Sequence, residues 1–422
     1  MRRTPGRRRL DYRSGRVLIL AVSSSWQRNI DWYPWYRAAT EIYAWIPVTY
    51  LYFSKFVTLT EFIQLEALYY ACVVVLEVPS GYFSDRTGRR ITLLVGTSAF
   101  AVAYAVFLLA DGFVVLAIGQ CFLAMAFAFQ SGTGTAFHFD SLKQAHREHE
   151  YAQREARAER IGLTATALAV LGGGLIAIVD LRLSYVFSML AALTGLFIAA
   201  RFTEPMERTA ASDFGLQLLA CSAKLREPVL AWLFLFSIVI YGLAHVPYEF
   251  YQPYITLLDL EILGRGIEAP IVSGIVIGIS MFGGAFAAGA GVRWQARYGL
   301  LPVLIIAAGV QCAIIAGMAL LQHAAVLGLV FLRNFPSALV HAPSNAIVVP
   351  RLAPEQRATY LSLQNLVGRL TFAALLWWLS LGTGAGKALV WETLSAVLWQ
   401  SLLVGSAGLA LLFVFSRVIR KH

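Results

Sequence analysis

Residues 76 to 94 read LEVPSGYFSDRTGRRITLL, with Asp85, Arg86, Arg89 and Arg90 set between two long apolar runs. In a chain that is 58% hydrophobic and 14% charged, ionisable groups inside apolar runs need a partner or a water-filled path, so they are the first candidates for chemistry. Arg37 and Glu41 are spaced to share one helical face. Arg333 and Arg369 fall near the middle of apolar runs, His341 and Asn345 follow at helical spacing, and Tyr241, His245, Tyr248 and Glu249 form a polar-aromatic group. Such residues can exchange protons and recognise a polar solute. Bond-breaking chemistry is not indicated, because H-E-x-x-H, G-x-S-x-G and the phosphate-binding G-x-x-x-x-G-K-[ST] are all missing. Cys72, Cys121, Cys221 and Cys312 lack paired spacing and partner histidines, so neither a disulfide framework, a metal site nor a cofactor is expected.

The elements that hold these groups must cross a bilayer. A mean hydropathy of +0.66 exceeds what one soluble core needs, and a spanning helix takes about 20 mostly apolar residues. Twelve runs meet that length, at 34–55, 62–84, 91–110, 112–135, 161–180, 182–202, 229–254, 270–291, 300–320, 323–349, 358–381 and 392–416. No alternating stretches of about ten residues suggest a membrane barrel. Of the 34 Lys and Arg residues, Lys55, Arg182, Arg265 and Lys387 fall on one side, and Arg37, Arg333 and Arg369 fall inside spans. All the others fall on the opposite side, which predicts cytoplasmic termini. The net charge of +10 is then an orientation signal, and the Arg-rich N-terminus is not read as a nucleic-acid module. The early run LILAV is too short for a signal sequence and is expected at the interface.

Residues 203–228 divide the chain. The expected organisation is a basic cytoplasmic segment (1–33), a six-helix bundle (34–202), a cytoplasmic linker (203–228), a second six-helix bundle (229–417) and a tail (418–422). FGLQLLACSAKL in the linker could form an amphipathic surface helix. DRTG at 85–88 is echoed by ARYG at 296–299, a faint sign of two related halves.

Gly81, Asp85, Arg86, Gly88, Arg89 and Arg90 match the signature G-x-x-x-D-R-x-G-R-R position for position. The chain thereby resembles the major facilitator superfamily. LEVPSG and FQSGTGTAFHFDSLK look like a bacterial branch with E-x-P-S/T-G on the second helix. The resemblance implies an all-α polytopic membrane protein of twelve transmembrane helices in two six-helix bundles. It further implies a monomeric secondary transporter of a small-molecule substrate, working by alternating access in a bacterial cytoplasmic (inner) membrane. In such a protein the opening stretch acts as a conformational latch, with Glu77 and Asp140 as gate partners of its arginines. Spans 1, 4, 7 and 10 line the cavity, which favours Arg37, Glu41, Tyr241, His245, Arg333 and His341 as lining groups.

Glu41 is the expected protonation switch, because burial and the neighbouring Arg37 act on its carboxyl in opposite senses. Arg333 and Arg369 predict an anionic or zwitterionic solute. Glu66 and Glu249 stand near helix ends and read as structural. Drug-proton antiporters carry an Arg in the fourth helix and G-P-x-x-G-G in the fifth, where this chain has LAIGQCFLAMAF and ALAVLGGGLIA. Multidrug efflux is therefore the second reading, and Gly172, Gly173 and Gly174 are taken as close-packing residues. A transporter-like receptor or an intramembrane lipid-handling enzyme is the alternative of another class.

Overall fold

The computed structural model describes residues 12–205, 221–262, 265–266, 269–383 and 389–419. The first half contains α1 (Tyr12–Thr40), a 3-10 turn (Ile46–Val48), α2 (Thr49–Phe53), α3 (Leu59–Thr87), α4 (Arg89–Leu108), α5 (Phe113–Gln130), α6 (Thr133–Gln144), α7 (Tyr151–Ile176) and α8 (Leu181–Ala200). The second contains α9 (Pro228–Leu258), α10 (Ala269–Tyr298), α11 (Leu300–Leu320), α12 (Leu327–Val330), α13 (Phe335–Val348), α14 (Pro354–Thr383) and α15 (Trp391–Val414). A two-residue hairpin, Glu261–Ile262 with Arg265–Gly266, joins α9 to α10. Residues 1–11, most of FGLQLLACSAKL, Lys387 and 420–422 lie outside the described residues.

Local sequence sets several helix ends. Thr58 and Glu61 form a reciprocal capping box at the start of α3, the Thr58 amide donating to Glu61 Oε2 at 2.8 Å. Asp180 accepts from the Arg182 amide at 2.8 Å and starts α8. Between α3 and α4, Gly88 takes φ +107°, a region that favours glycine.

Among the described residues ten helices are long and apolar enough to span a membrane, or eleven if α10, bent by 41° between Gly284 and Gly289, counts as one. The expected first span is not among them. Instead of a continuous helix over 34–55, α1 begins at Tyr12, carries Arg28, Asp31 and Arg37, and stops at Thr40. Residues 41–45 are unwound before the Pro47 turn, because Pro47 has no N–H to bond back to the carbonyl of Tyr43 and its ring would clash with that carbonyl in a continuous helix. Neighbours take up the freed backbone groups: Thr166 Oγ1 donates to Glu41 O at 2.8 Å, and Gln252 Nε2 to Ile46 O at 2.7 Å. The expected span 323–349 is likewise broken, at residues 331–334 ahead of Pro336. α6 is a further departure: α5 ends at Gln130, Gly132 turns at φ +69°, and a separate helix follows.

In the first half α4 packs on α5 and α8, and α3 on α5; in the second α9 packs on α14 and α15, and α10 on α13. Cys72 and Cys121 bring their sulfurs within 3.6 Å across α3 and α5. The halves meet where α3 lies against α14 and α7 against α10. There a Cβ on Gly174 would collide with Pro270 O, and within the first half one on Gly173 would collide with Ala44 O, so these two glycines serve close packing whereas Gly172 has open space around it. The ends of the helices bearing Arg86, Arg89, Arg90, Arg147, Arg201, Arg351 and Arg357 define one basic face of the molecule.

Candidate functional site

A cavity of about 350 Å³ lies between the halves. Its walls come from the broken first span (Tyr43, Trp45, Tyr50), α3 (Phe62, Glu66, Tyr69, Tyr70), α5 (Gln120, Leu123, Phe127), α9 (Tyr241, His245, Tyr248, Glu249, Tyr251, Gln252) and α14 (Arg369). Glu66 and Glu249 are 8% and 6% exposed. Gln120 Nε2 donates to Glu66 at 2.9 Å and Tyr70 Oη to Glu249 at 2.8 Å. Among the described residues neither carboxylate is in an ion pair, and both line the same cavity. His245 stacks on Tyr241 at 3.9 Å between ring centroids, and its Nδ1 donates to Tyr241 O at 2.8 Å.

The cavity is sealed towards the face opposite the basic one. Gln252 stitches α9 to the first span at both ends of its amide, receiving the Tyr50 amide at 2.9 Å while donating to Ile46 O. Thr60 and Thr383 share a hydrogen bond of 2.9 Å further along the α3–α14 seam. On the basic side the floor is thinner. Tyr43, Phe127 and Arg369 separate the central cavity from a recess of about 300 Å³ that holds Arg37 and Glu41. Tyr241 separates it from another of about 250 Å³ that holds His341, Asn345 and Gln364. Arg369 pairs with Glu77 across the two halves, Nη1 to Oε2 at 2.7 Å.

Arg37 and Glu41 do meet, at 2.7 Å, but on the basic side of the floor. Arg37 also reaches Glu155 at 3.1 Å and pairs with Glu159, and Glu155 in turn contacts His138 Nδ1 at 2.6 Å. This cluster ties α1 to α6 and α7. Arg333 sits behind the cavity wall rather than on it, 4% exposed, with its guanidinium 4.9 Å from the Tyr248 ring centroid and 5.4 Å from that of Tyr251. Its Nε donates to Ser280 Oγ at 3.2 Å. His341 and Asn345 face each other at 3.4 Å in their own recess. Of the residues expected on the cavity, Tyr241, His245 and Arg369 line it, whereas Arg37, Glu41, Arg333, His341 and Asn345 do not.

The opening stretch forms a knot on the basic face. Arg89 pairs with Asp85 at 3.0 Å and approaches Asp140 at 3.5 Å, while Arg86 lies over the Tyr82 ring at 4.7 Å. Glu77, expected in this knot, is instead the partner of Arg369, because about ten helical residues, roughly 15 Å of rise, separate it from the end of α3. The group missing from the sequence reading is Glu204. Its two oxygens accept the amides of Arg89 and Arg90, each at 2.9 Å, and so cap the positive end of α4. A Cβ on Gly88 would strike that carboxylate. Arg90 Nη2 donates to Ala200 O at 2.9 Å, and Gly81 has open space around it.

Residues 37–376 match the Major Facilitator Superfamily family model. No curated protein sequence matches the chain. Among solved structures, a mutant of the nucleoside transporter NupG is similar with TM-score 0.71 at 13% identity, covering 92% of this chain and 98% of that one. A mutant peptide transporter POT in complex with sulfate gives 0.71 at 11% identity, covering 93% and 95%. A bacterial homolog of the human lysosomal transporter Spinster, inward-facing and occupied, gives 0.64 at 14% identity, covering 99% of each chain. At these identities the likeness concerns the fold.

Proposed function

Because the chain belongs to the Major Facilitator Superfamily, we propose that it is a secondary transporter that moves a small organic solute by alternating access and couples that movement to protons at Glu66 and Glu249. The observation that carries this reading is the central cavity, walled by both halves, closed on one side by Gln252 and the Thr60–Thr383 bond and lined by two acids without ion partners. Two carboxylates buried in one cavity cannot both ionise cheaply, so a proton can pass on and off them as the halves rock and hydration changes. The groups facing them are Gln120 from α5, Tyr70 from α3, Tyr248 and His245 from α9, and Arg333 behind the tyrosines. Arg369 lines the same cavity but is offset by Glu77.

Read with the positive-inside rule, the basic face is cytoplasmic and the cavity, sealed on the other side, belongs to an inward-facing form in a bacterial inner membrane. Glu41 is then a member of a cytoplasmic-side ion cluster, and the proton role passes to the cavity acids. The neighbours named for nucleoside and peptide transport support a small polar organic solute as the cargo class.

The test is counterflow of a radiolabelled solute panel in proteoliposomes, with and without an imposed pH gradient. We expect exchange of at least one member, and accumulation under the gradient that the Glu66→Gln, Glu249→Gln double variant loses. A folded wild-type protein that binds a panel member but exchanges none would make it a receptor.

A further inference from the structure

We infer that the central cavity binds a protonated primary or secondary amine carried on an apolar or aromatic body, with Glu66, Glu249 and the amide oxygen of Gln120 receiving its N–H donors. This deepens, and rests on, the reading of the cavity as the transport site. Three independent features converge. The first is charge. Glu66 and Glu249 bring two negative charges, Glu77 offsets Arg369 at the floor, and Arg333 is the one cation against the back of the wall, over Tyr248 and Tyr251, so among the described residues the ionised cavity is one negative charge in excess. One monovalent cation balances it, as one proton does.

The second is an open acceptor. Gln120 is 2% exposed and spends its Nε2 on Glu66, and its Oε1 has no hydrogen-bond partner among the described residues. A buried carbonyl oxygen without a donor is costly, and Gln120 is one of the residues around the cavity. A small turn of the side chain brings this oxygen to an N–H or O–H donor in the cavity, from water or from a ligand, and a fully methylated ammonium has none to offer. The third is the wall itself. Tyr69, Tyr70, Tyr241, Tyr248 and Tyr251 surround the acids with rings that favour a cation and an apolar body together. An anionic solute finds no cation free to meet it among the described lining residues, since Arg369 is paired. Proton and amine compete for the same excess negative charge, so inward proton flow drives amine outward.

The test uses the full-length purified protein and matched probes: 2-phenylethylammonium, its N-trimethyl form, 2-phenylethanol and 3-phenylpropanoate, with cyclohexyl counterparts. Binding is read by intrinsic tryptophan fluorescence, with Trp45 on the cavity wall. The primary ammonium of each set should bind, and trimethylation or the Glu249→Gln change should weaken it by about tenfold or more, the worth of one charge-assisted contact. Glu249→Asp, which keeps the charge, should retain binding within a few-fold. A carboxylate or alcohol that binds as tightly as its ammonium overturns the proposal, and that comparison needs no variant to fold. Retained affinity in both Glu66→Gln and Glu249→Gln overturns it as well. Counterflow separates the two readings: amine bound without exchange removes transport but leaves the amine site, whereas exchange of the carboxylate keeps transport and removes the amine site.

Discussion

Glu77 and Arg369 belong to different halves, and their 2.7 Å contact forms part of the cavity floor. Removing one partner leaves the other charge unanswered near mid-membrane. Because the Arg369 side chain keeps 30% exposure, Glu77→Gln should cost about 2 kcal/mol, less than the roughly 3–5 kcal/mol of a fully buried pair. Thermal melting in detergent measures this, and adding Arg369→Gln should recover most of the loss; a double variant no better than the sum of both singles would show that the pair is not coupled. Gly88→Ala brings backbone strain at φ +107° and a collision with Glu204, so it should destabilise by about 1–3 kcal/mol. Glu204→Gln should cost less, because a neutral amide oxygen still caps an amide. Equal melting temperatures for Gly88→Ala and the parent would refute that account. The Arg37–Glu41 pair was legible from its helical spacing, and Asp140 from its match to the branch pattern. Glu155, Glu159 and Glu204 were not, because the arginines they meet lie more than a hundred residues away and only tertiary packing joins them. Glu66 and Glu249 were visible as rare charges, but which helix face met the cavity was not.

At the scale of elements, the broken first span and its stitch by Gln252 set the seal opposite the basic face. Two neutral hydrogen bonds are worth about 2 kcal/mol together, so Gln252→Ala should raise the population open on that side by tenfold or more. The readout is the rate at which a membrane-impermeant maleimide modifies Thr383→Cys from that face, compared with the same cysteine in the parent background. Gly174→Val should act in the same sense by forcing α7 away from Pro270. No increase in labelling for either variant would mean that the seal lies elsewhere. The span positions were readable from hydropathy, whereas the breaks were not. Pro47 and Pro336 marked where helix could fail, but Pro34 sits inside α1 without ending it, so proline alone does not decide.

For the whole molecule, alternating access requires that contacts on the basic face differ between conformations while each half keeps its internal packing. Asp85 holds Arg89, which also reaches Asp140, and all three belong to the first half. A triad confined to one half stays intact when the halves turn, so Asp85→Asn should leave exchange, expression and solute affinity within a few-fold; a several-fold loss of exchange would show instead that Asp85 changes partners between conformations. The all-helical membrane architecture and its family were legible because apolar runs and the signature agree with one another. The cavity was not, since its walls come from both halves. The sulfurs of Cys72 and Cys121, 3.6 Å apart on α3 and α5, carry a mechanical consequence. A mild oxidant needs to draw them together by only about 1.5 Å to form a bond of about 2.05 Å, a covalent staple confined to one bundle. If the bundles turn as rigid bodies, the stapled protein should run at full speed; if transport instead depends on bending between those two helices, the same staple should stall it, and a reductant should restart it.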